Sequence, residues 1–404
     1  MPQQETIKAL LISVGEDPQR VVFTINRYRP EYLLFFVTEQ TRNLIESVIQ
    51  PGIQQMPKRW DSVVTPNPAN FSDCYRALEK QLSGLLHNWQ IQPGELVVDY
   101  TGGTPSMVMA LALAATDHCT RLVFSAEPGP VFQEANPWDQ RAVDESRKAA
   151  VCFNQGRYAQ ARVIFSRLQE RVSGGLKPLY RAFSDLADGY DLWESFQHQK
   201  ALEKLKVAKR ALELSAVWGG PTGLKTVLTT VDENLRFLEK IIMTQRKPDQ
   251  PLFIDLMASA KRQVEMHHHY ENAMVRLYRA LEVLAQVQLD KAFKIKSHDV
   301  RPEQLPEGVR EEYRRSFTSE LDGRIKLPLY AAYNLLKLLG DSLGQNFFNL
   351  WPQIKLVLDV RHQSILAHGF ENTKPERYQQ LWDLVLKLSG VRPESLPRFP
   401  QMEF

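Results

Sequence analysis

Leu96-Val97-Val98-Asp99-Tyr100-Thr101-Gly102-Gly103-Thr104-Pro105-Ser106-Met107 is the stretch that decides the fold. Its first half is an apolar run that ends in an acid. Its second half is a double-glycine turn that becomes a helix start. Threonine suits the N-cap, where its hydroxyl accepts a backbone N–H, and proline suits the first helical position, whose N–H has no helical partner. A strand feeding a glycine turn and then a helix is half of a β-α-β unit. Four more apolar runs lie around it: Ile7–Val14, Tyr32–Val37, the weaker Trp60–Thr65, and Arg121–Ser125. Between them stand helical candidates over Pro18–Tyr28, Thr41–Ile49, Phe71–Trp89 and Pro105–Asp117. Runs that are continuous rather than alternating predict strands buried on both faces, as in a parallel sheet. The alternation with helices predicts a doubly wound α/β domain.

Composition bounds what such a chain can be. At 404 residues two to three domains are expected. An apolar fraction of 43% and a charged fraction of 24% exclude a disordered or collagen-like chain. The formal net charge is only +3, so any attraction for nucleic acid has to be local. Three cysteines without a C-x-x-C pair predict a reducing, cytoplasmic setting and core roles for Cys74, Cys119 and Cys152. No apolar run reaches the length of a membrane span, and the N-terminus has no basic, then apolar, leader pattern.

Beyond Glu127 the pattern becomes helical. Pro128-Gly129-Pro130 and Asn136-Pro137 punctuate the exit from the first domain. Phe153–Leu168 reads as two short amphipathic helices around Gly156, and Tyr190–Ala208 echoes it. Two imperfect copies do not make a repeat array, and the segment reads as a helical connector with an aromatic face. Gln245–Pro251 is a polar, proline-bracketed break. After it Leu252–Phe293 reads as one long helical pattern, Ser297–Gly323 as a loop or short helices, and Leu327–Leu339, Phe347–His368 and Tyr378–Leu388 as further helices of a bundle. The expected domains are 1–143, 144–248 and 249–404.

Two places carry chemistry. The first is the set of strand carboxyl ends, where open α/β sheets bind ligands. They are Thr101–Thr104, Ser13-Val14-Gly15-Glu16-Asp17 and Thr38-Glu39-Gln40. Threonine hydroxyls and helix-start amides make an acceptor for phosphate. A tight turn needed only for packing would use the same residues. Neither G-x-G-x-x-G nor G-x-x-x-x-G-K-[ST] occurs, which argues against a dinucleotide cofactor and against a P-loop nucleotidase.

The second place is Arg361-His362-Gln363-Ser364-Ile365-Leu366-Ala367-His368-Gly369. Positions 361 and 368 are two helical turns apart and share a face. Arginine is a permanent cation that can stabilise a pentavalent phosphate, and histidine exchanges protons near neutral pH. The pair suffices for metal-free cleavage of RNA, whose 2′-hydroxyl attacks its own phosphorus. DNA lacks that hydroxyl. His362, 100° round the helix from the catalytic face, is a lesser candidate. Cations near a helix C-terminus also serve the dipole alone.

The arrangement over the first roughly 130 residues resembles the CARF domain, the Rossmann-like sensor of CRISPR-associated proteins. That family binds cyclic oligoadenylates across a dimer interface. The resemblance makes Ser13, Gly15, Thr38, Thr101, Gly102, Gly103 and Thr104 the ligand-binding residues. Pro105 stands where the family usually has lysine, which removes one phosphate-directed cation. The Arg361–His368 segment resembles the R-x4–6-H signature of HEPN ribonucleases, and Tyr270–Leu289 resembles the first helix of that bundle. Together the two resemble the CARF–HEPN ancillary ribonucleases of type III CRISPR systems (Csm/Csx type). The resemblance implies a homodimer with a composite nuclease site and a single-stranded RNA substrate. It also implies a cyclic oligoadenylate activator, no metal or other cofactor, no DNA or membrane partner, and a role in antiviral defence. Arg361 would stabilise the scissile phosphate and His368 would transfer protons. The alternatives are a non-catalytic ligand-responsive regulator or scaffold, and a ring nuclease that degrades the messenger.

Three other features carry charge or metal-ligating side chains. Met266-His267-His268-His269-Tyr270 invites a metal reading, but three consecutive residues of one helix point about 100° apart and do not converge on an ion. Glu282 could pair with Arg361 or stand as an ordinary exposed charge. Lys291, Lys294, Lys296, Arg301, Arg314 and Arg315 could guide RNA. Asp290, Glu303, Glu311 and Glu312 make a solvated face equally compatible with that segment.

Overall fold

The structure is a computed structural model. It describes residues 7–125, 133–217, 221, 223–243, 247–362 and 373–404, with the backbone alone for 359–362. The chain divides into two compact units: Met1–Lys148 with Val163–Arg181, and Ala149–Arg162 with Ala182–Phe404.

The first unit contains a six-stranded sheet: β1 (Ala9–Ser13), β2 (Tyr32–Thr38), β3 (Arg59–Thr65), β4 (Leu96–Asp99), β5 (Arg121–Phe124) and β6 (Gln133–Ala135). The strand order is β3-β2-β1-β4-β5-β6. The first five are parallel, with Ala9 opposite both Tyr32 and Leu96. β6 is antiparallel to β5, so the sheet is mixed at one edge. The apolar runs did not predict this strand. Its residues Gln133, Glu134 and Ala135 are all exposed and carry no hydrophobic pattern. Polar contacts help hold it, with Glu134 accepting from Tyr28 at 2.7 Å and from Arg121 at 3.1 Å.

Helices cover both faces, as continuous apolar strands require. Leu10, Ile12, Leu33, Phe35 and Val37 face α1 (Pro18–Tyr28) through Val21, Val22 and Ile25. α2 (Glu39–Leu44) runs into a π-helical turn, Ile45–Ile49, and the short α3 (Gln50–Gly52), with Ile45 and Ile49 in the same core. Leu11, Leu34, Phe36 and Val98 face α4 (Phe71–Asn88) and α5 (Pro105–Ala115).

Eleven helices of more than eight residues follow among the described residues. The first five are α6 (Pro137–Asn154), α7 (Tyr158–Arg171), α8 (Lys177–Glu194), α9 (His198–Val217) and α10 (Leu224–Met243). The two echoed segments have the same turn. Gly156 and Arg157 donate to Phe153 and Cys152, and Phe196 and Gln197 donate to Trp193 and Leu192, forty positions on. Gly156 and Phe196 both have positive φ, +72° and +57°.

The predicted single helix over Leu252–Phe293 is corrected to two, α11 (Gln250–His267) and α12 (Tyr270–Phe293). His268 adopts the left-handed conformation (φ +54°), and the N–H groups of His268 and His269 close the helix onto Val264 and Gln263. Histidine tolerates this region better than most side chains, so the apolar stripe gave no warning of the break. The three histidines therefore do not follow one another on a helix. The segment expected as a loop or short helices holds an eleven-residue helix, α13 (Glu307–Phe317). α14 (Leu329–Leu338), α15 (Ser342–His362) and α16 (Pro375–Ser389) complete the bundle. Tyr333 stacks on Phe347 at 3.7 Å and donates to the carbonyl of Leu281 at 2.9 Å, tying α14, α15 and α12 into one core.

Candidate functional site

The first candidate site forms where β1, β2 and β4 end. Ser13, the last residue of β1, donates its hydroxyl to the Gly102 carbonyl at 2.5 Å. The two turns touch backbone to backbone. A Cβ on Gly102 would sit 2.7 Å from the Ser13 oxygen, and one on Gly15 would sit 2.6 Å from the Gly103 nitrogen. Glycine is required at both positions by space. Gly103 adds a positive φ, +98°.

Each threonine is anchored. Thr101 takes its backbone N–H to Asp99 Oδ1 at 2.8 Å, and its hydroxyl accepts from Ser125 N at 3.0 Å. Thr104 caps α5 by accepting from Met107 N at 3.2 Å and donates to the carbonyl of Pro68. Thr38 and Thr41 form a capping box at the start of α2, each hydroxyl accepting the other's N–H at 3.0 Å. Asp17 caps α1.

These elements enclose a cavity of about 490 Å³. Ser13, Gly15, Thr38, Thr101, Gly102, Gly103 and Thr104 all line it. It also has charged walls. Glu16 and Asp17 stand at the mouth, and Asp99 is buried in the wall. Burial raises the Asp99 carboxyl above the usual range, against the hydrogen bonds from Thr101 and from Thr24 at 2.9 Å. The one cation on the wall among the described residues is Arg20, whose Nε lies 3.1 Å from Asp17 Oδ2. Sequence reading overlooked Arg20. The signal was the cap at Asp17, which puts the first turn of α1 at the carboxyl end of β1 beside Ser13 and Gly15.

The second candidate site is carried by α15. Ile354, Val357 and Leu358 bury one face of that helix in the bundle core with Leu281, Trp382 and Val385. Arg361 and His362 are its last two residues, described as backbone only. His368 lies outside the described residues. Glu282 pairs with Arg279 of its own helix at 2.8 Å. Among the described residues no group of three or more His, Cys, Asp or Glu side chains is placed to hold a metal ion. His267 and His269 stack at 5.4 Å, and burial, with the neighbouring His269, lowers the His267 pKa. Cys74 and Cys119 are buried, and Cys152 is half-buried. Among the described residues no helix is long and apolar enough to cross a membrane.

No curated protein matches the sequence. Among solved structures the chain resembles a Csm6 of Enterococcus italicus, bound to cyclic hexa-2′-fluoro-hexa-dAMP. Identity is 10%, 97% of each chain is covered, and the TM-score is 0.57, a likeness of fold. A type III CRISPR defence DNA nuclease activated by cyclic oligoadenylate matches 46% of this chain and 34% of its own at 15% identity, with a TM-score of 0.25. Protein VC1899 of Vibrio cholerae matches 40% of this chain and 51% of its own at 12% identity, also with a TM-score of 0.25. Scores that low carry no argument. Residues 142–238 match the model of the Csm6 6H domain, and residues 243–391 match that of the Csm6 HEPN domain. The two matches together span more than half of the 404 residues, behind a Rossmann-like sheet of the kind that the Thr101–Thr104 turn resembles. The chain belongs to the Csm6 family, with the CARF–HEPN organisation of type III CRISPR ancillary proteins.

Proposed function

We propose that this protein is a cyclic-oligoadenylate-activated, metal-independent endoribonuclease of type III CRISPR defence that cleaves single-stranded RNA in the cytoplasm. Its working parts are a sensor (1–143), a connector (144–248) and a ribonuclease domain (249–404). The observation that carries the reading is the meeting of Ser13, Gly15, Thr38 and Thr101–Thr104 around one cavity at the strand carboxyl ends, in a chain whose helical parts match Csm6 domains. The messenger would bind there, with Arg20 supplying the cation that Pro105 removes.

The protein would act as a homodimer. A twofold axis doubles the Arg–His pair into a composite site and bounds a groove for RNA. The 2′-hydroxyl loses its proton and attacks the adjacent phosphorus, and the bond to the 5′-oxygen breaks as that oxygen gains a proton. Products carry 2′,3′-cyclic phosphate and 5′-hydroxyl ends. Arg361 stabilises the charge on the pentavalent phosphate, His368 moves the proton, and His362 is a secondary candidate. Messenger bound to the sensor pair favours the active arrangement by its differential affinity for the two states.

The test is cleavage of labelled RNA with and without cyclic tetra- or hexa-adenylate, in chelator, by the wild type, Arg361→Ala and His368→Ala. Cleavage that survives both substitutions overturns the assignment. Failure of both messengers to stimulate overturns the activation.

A further inference from the structure

The last residues of the chain lie as an extended tail against α6, α7 and α8. Leu396 belongs to the core of the bundle, and residues 397–404 run on from it without helix or strand. Phe399 is 6% exposed. Its ring centre is 4.5 Å from that of Tyr190, 4.8 Å from Trp193 and 6.0 Å from Tyr158. Three positions on, Met402 is buried and its backbone is held on both sides. Its N–H donates to Asn154 Oδ1 at 2.8 Å, and its carbonyl accepts from Asn154 Nδ2 at 2.9 Å. Phe404 meets Phe183 edge-on at 5.0 Å. All of these residues lie in one compact unit.

The seat is oriented by helices, not by the tail. Asn234 of α10 donates to the Tyr190 hydroxyl at 2.9 Å, and Trp193 Nε1 donates to the buried Asp255 of α11 at 2.9 Å. Glu194 accepts from Arg262 Nε at 2.9 Å and fixes a guanidinium that lies 3.9 Å from the centre of the Phe399 ring. The two terminal nitrogens of Arg262 are buried with no hydrogen-bond partner among the described residues, so an aromatic face is the contact that suits that end of the cation. Tyr158, Tyr190 and Trp193 belong to the two echoed segments, and they are the aromatic face expected of them. Such a pre-oriented surface costs little further order when it is filled.

We infer that α6, α7 and α8, with Arg262, carry a peptide-binding site for an extended segment of the pattern Phe-x-x-Met, and that residues 399–404 are its resident, exchangeable ligand. A side-chain amide that both donates to and accepts from one residue's backbone recognises an extended chain whatever its sequence. The rings around Phe399 and the burial of Met402 add the sequence-dependent part. Pro400 keeps Phe399 out of the helical region, which prepares the segment for an extended fit. Another protein that presents the same pattern would have to displace the tail.

The test is fluorescence anisotropy of a labelled peptide of residues 399–404, which has no tryptic site, against the full chain. Tryptic removal of the chain's own tail after the exposed Arg398 is the second readout. In the wild type the seat is filled, so the peptide binds weakly and the cut is slow. Phe399→Ser with Met402→Ser in the full chain empties the seat. The peptide then binds about tenfold more tightly than to the wild type, and the cut is about tenfold faster. Adding Asn154→Ala to that variant weakens the peptide about tenfold through two lost backbone hydrogen bonds. A molar excess of peptide speeds the cut in the wild type, because it takes the seat from the tail. Asn154→Ala alone also speeds the cut, which supplies the test if the double variant does not fold. The proposal fails if the emptied variant binds the peptide no better than the wild type, if excess peptide leaves the wild-type cut unchanged, or if Asn154→Ala changes neither readout. The tail is then a fixed part of the core. Neither readout involves RNA or messenger, so the outcome is separate from that of the ribonuclease reading.

Discussion

Glu194 of α8 accepts from Arg262 Nε of α11 at 2.9 Å, joining the two helices through a largely buried ion pair. The same carboxylate accepts from Ser259 at 2.8 Å and from Gln263 at 3.0 Å, and the guanidinium lies 3.9 Å from the centre of the Phe399 ring. Burial works against the charged carboxylate, but the field of Arg262 and the three hydrogen bonds outweigh it. The Glu194 carboxyl therefore stays below its ordinary value of 4.5. A carboxyl held low in the folded state adds stability above its unfolded pKa, and that stability is lost as pH falls through the folded value.

Glu194→Gln leaves the Arg262 charge buried without its counter-ion. We expect a loss of roughly 3 kcal/mol at pH 7. In urea titrations the gap to the wild type should narrow as pH falls below about 4.5, because the wild type then loses the same contribution. A pH-independent gap would mean that shape rather than charge holds this junction.

Gly102→Ala should be costly despite its small volume. The new methyl would meet the Ser13 carbonyl oxygen at 2.7 Å and the Gly15 nitrogen at 3.0 Å, both backbone atoms that yield only if the two turns part. We expect about 1–3 kcal/mol of destabilisation in chemical denaturation, together with weakened messenger binding. Wild-type stability in this variant would mean that the turns do not meet as described.

Thr104→Ala removes the oxygen that accepts from Met107 N and the hydroxyl that donates to Pro68. The expected loss is about 1 kcal/mol, and Thr104→Ser should restore most of it. If serine rescues stability but not messenger affinity, the methyl group touches the ligand. If it rescues neither, the role assigned to the hydroxyl is wrong.

Much of this was legible in the residues. β1, β2 and β4 announced themselves because Leu10–Ile12, Leu33–Val37 and Val97–Val98 are buried on both sides of the sheet, and such strands need unbroken apolar sequence. The cap at Thr104 was equally plain, since residue type sets the helix start. β6 was invisible because its Gln133 and Glu134 hold it by polar contacts rather than burial. The break at His268 was hidden because histidine carries no glycine-like signal while Val264 and Leu277 continue one apolar stripe across it. At the sensor cavity the strand ends identified its rim. Arg20 needed the additional step of asking which side chains the first turn of α1 brings to that end. Arg361, His362 and His368 were read from spacing and resemblance, and they rest on chemistry alone.

The most direct measurement is cleavage of an end-labelled single-stranded RNA by the purified protein in chelator, with and without cyclic tetra- or hexa-adenylate, with analysis of the product ends. The account predicts messenger-stimulated cleavage to 2′,3′-cyclic phosphate and 5′-hydroxyl products, abolished by His368→Ala in a protein that remains folded and dimeric. Messenger-independent or metal-dependent cleavage, or full activity in His368→Ala, would contradict it.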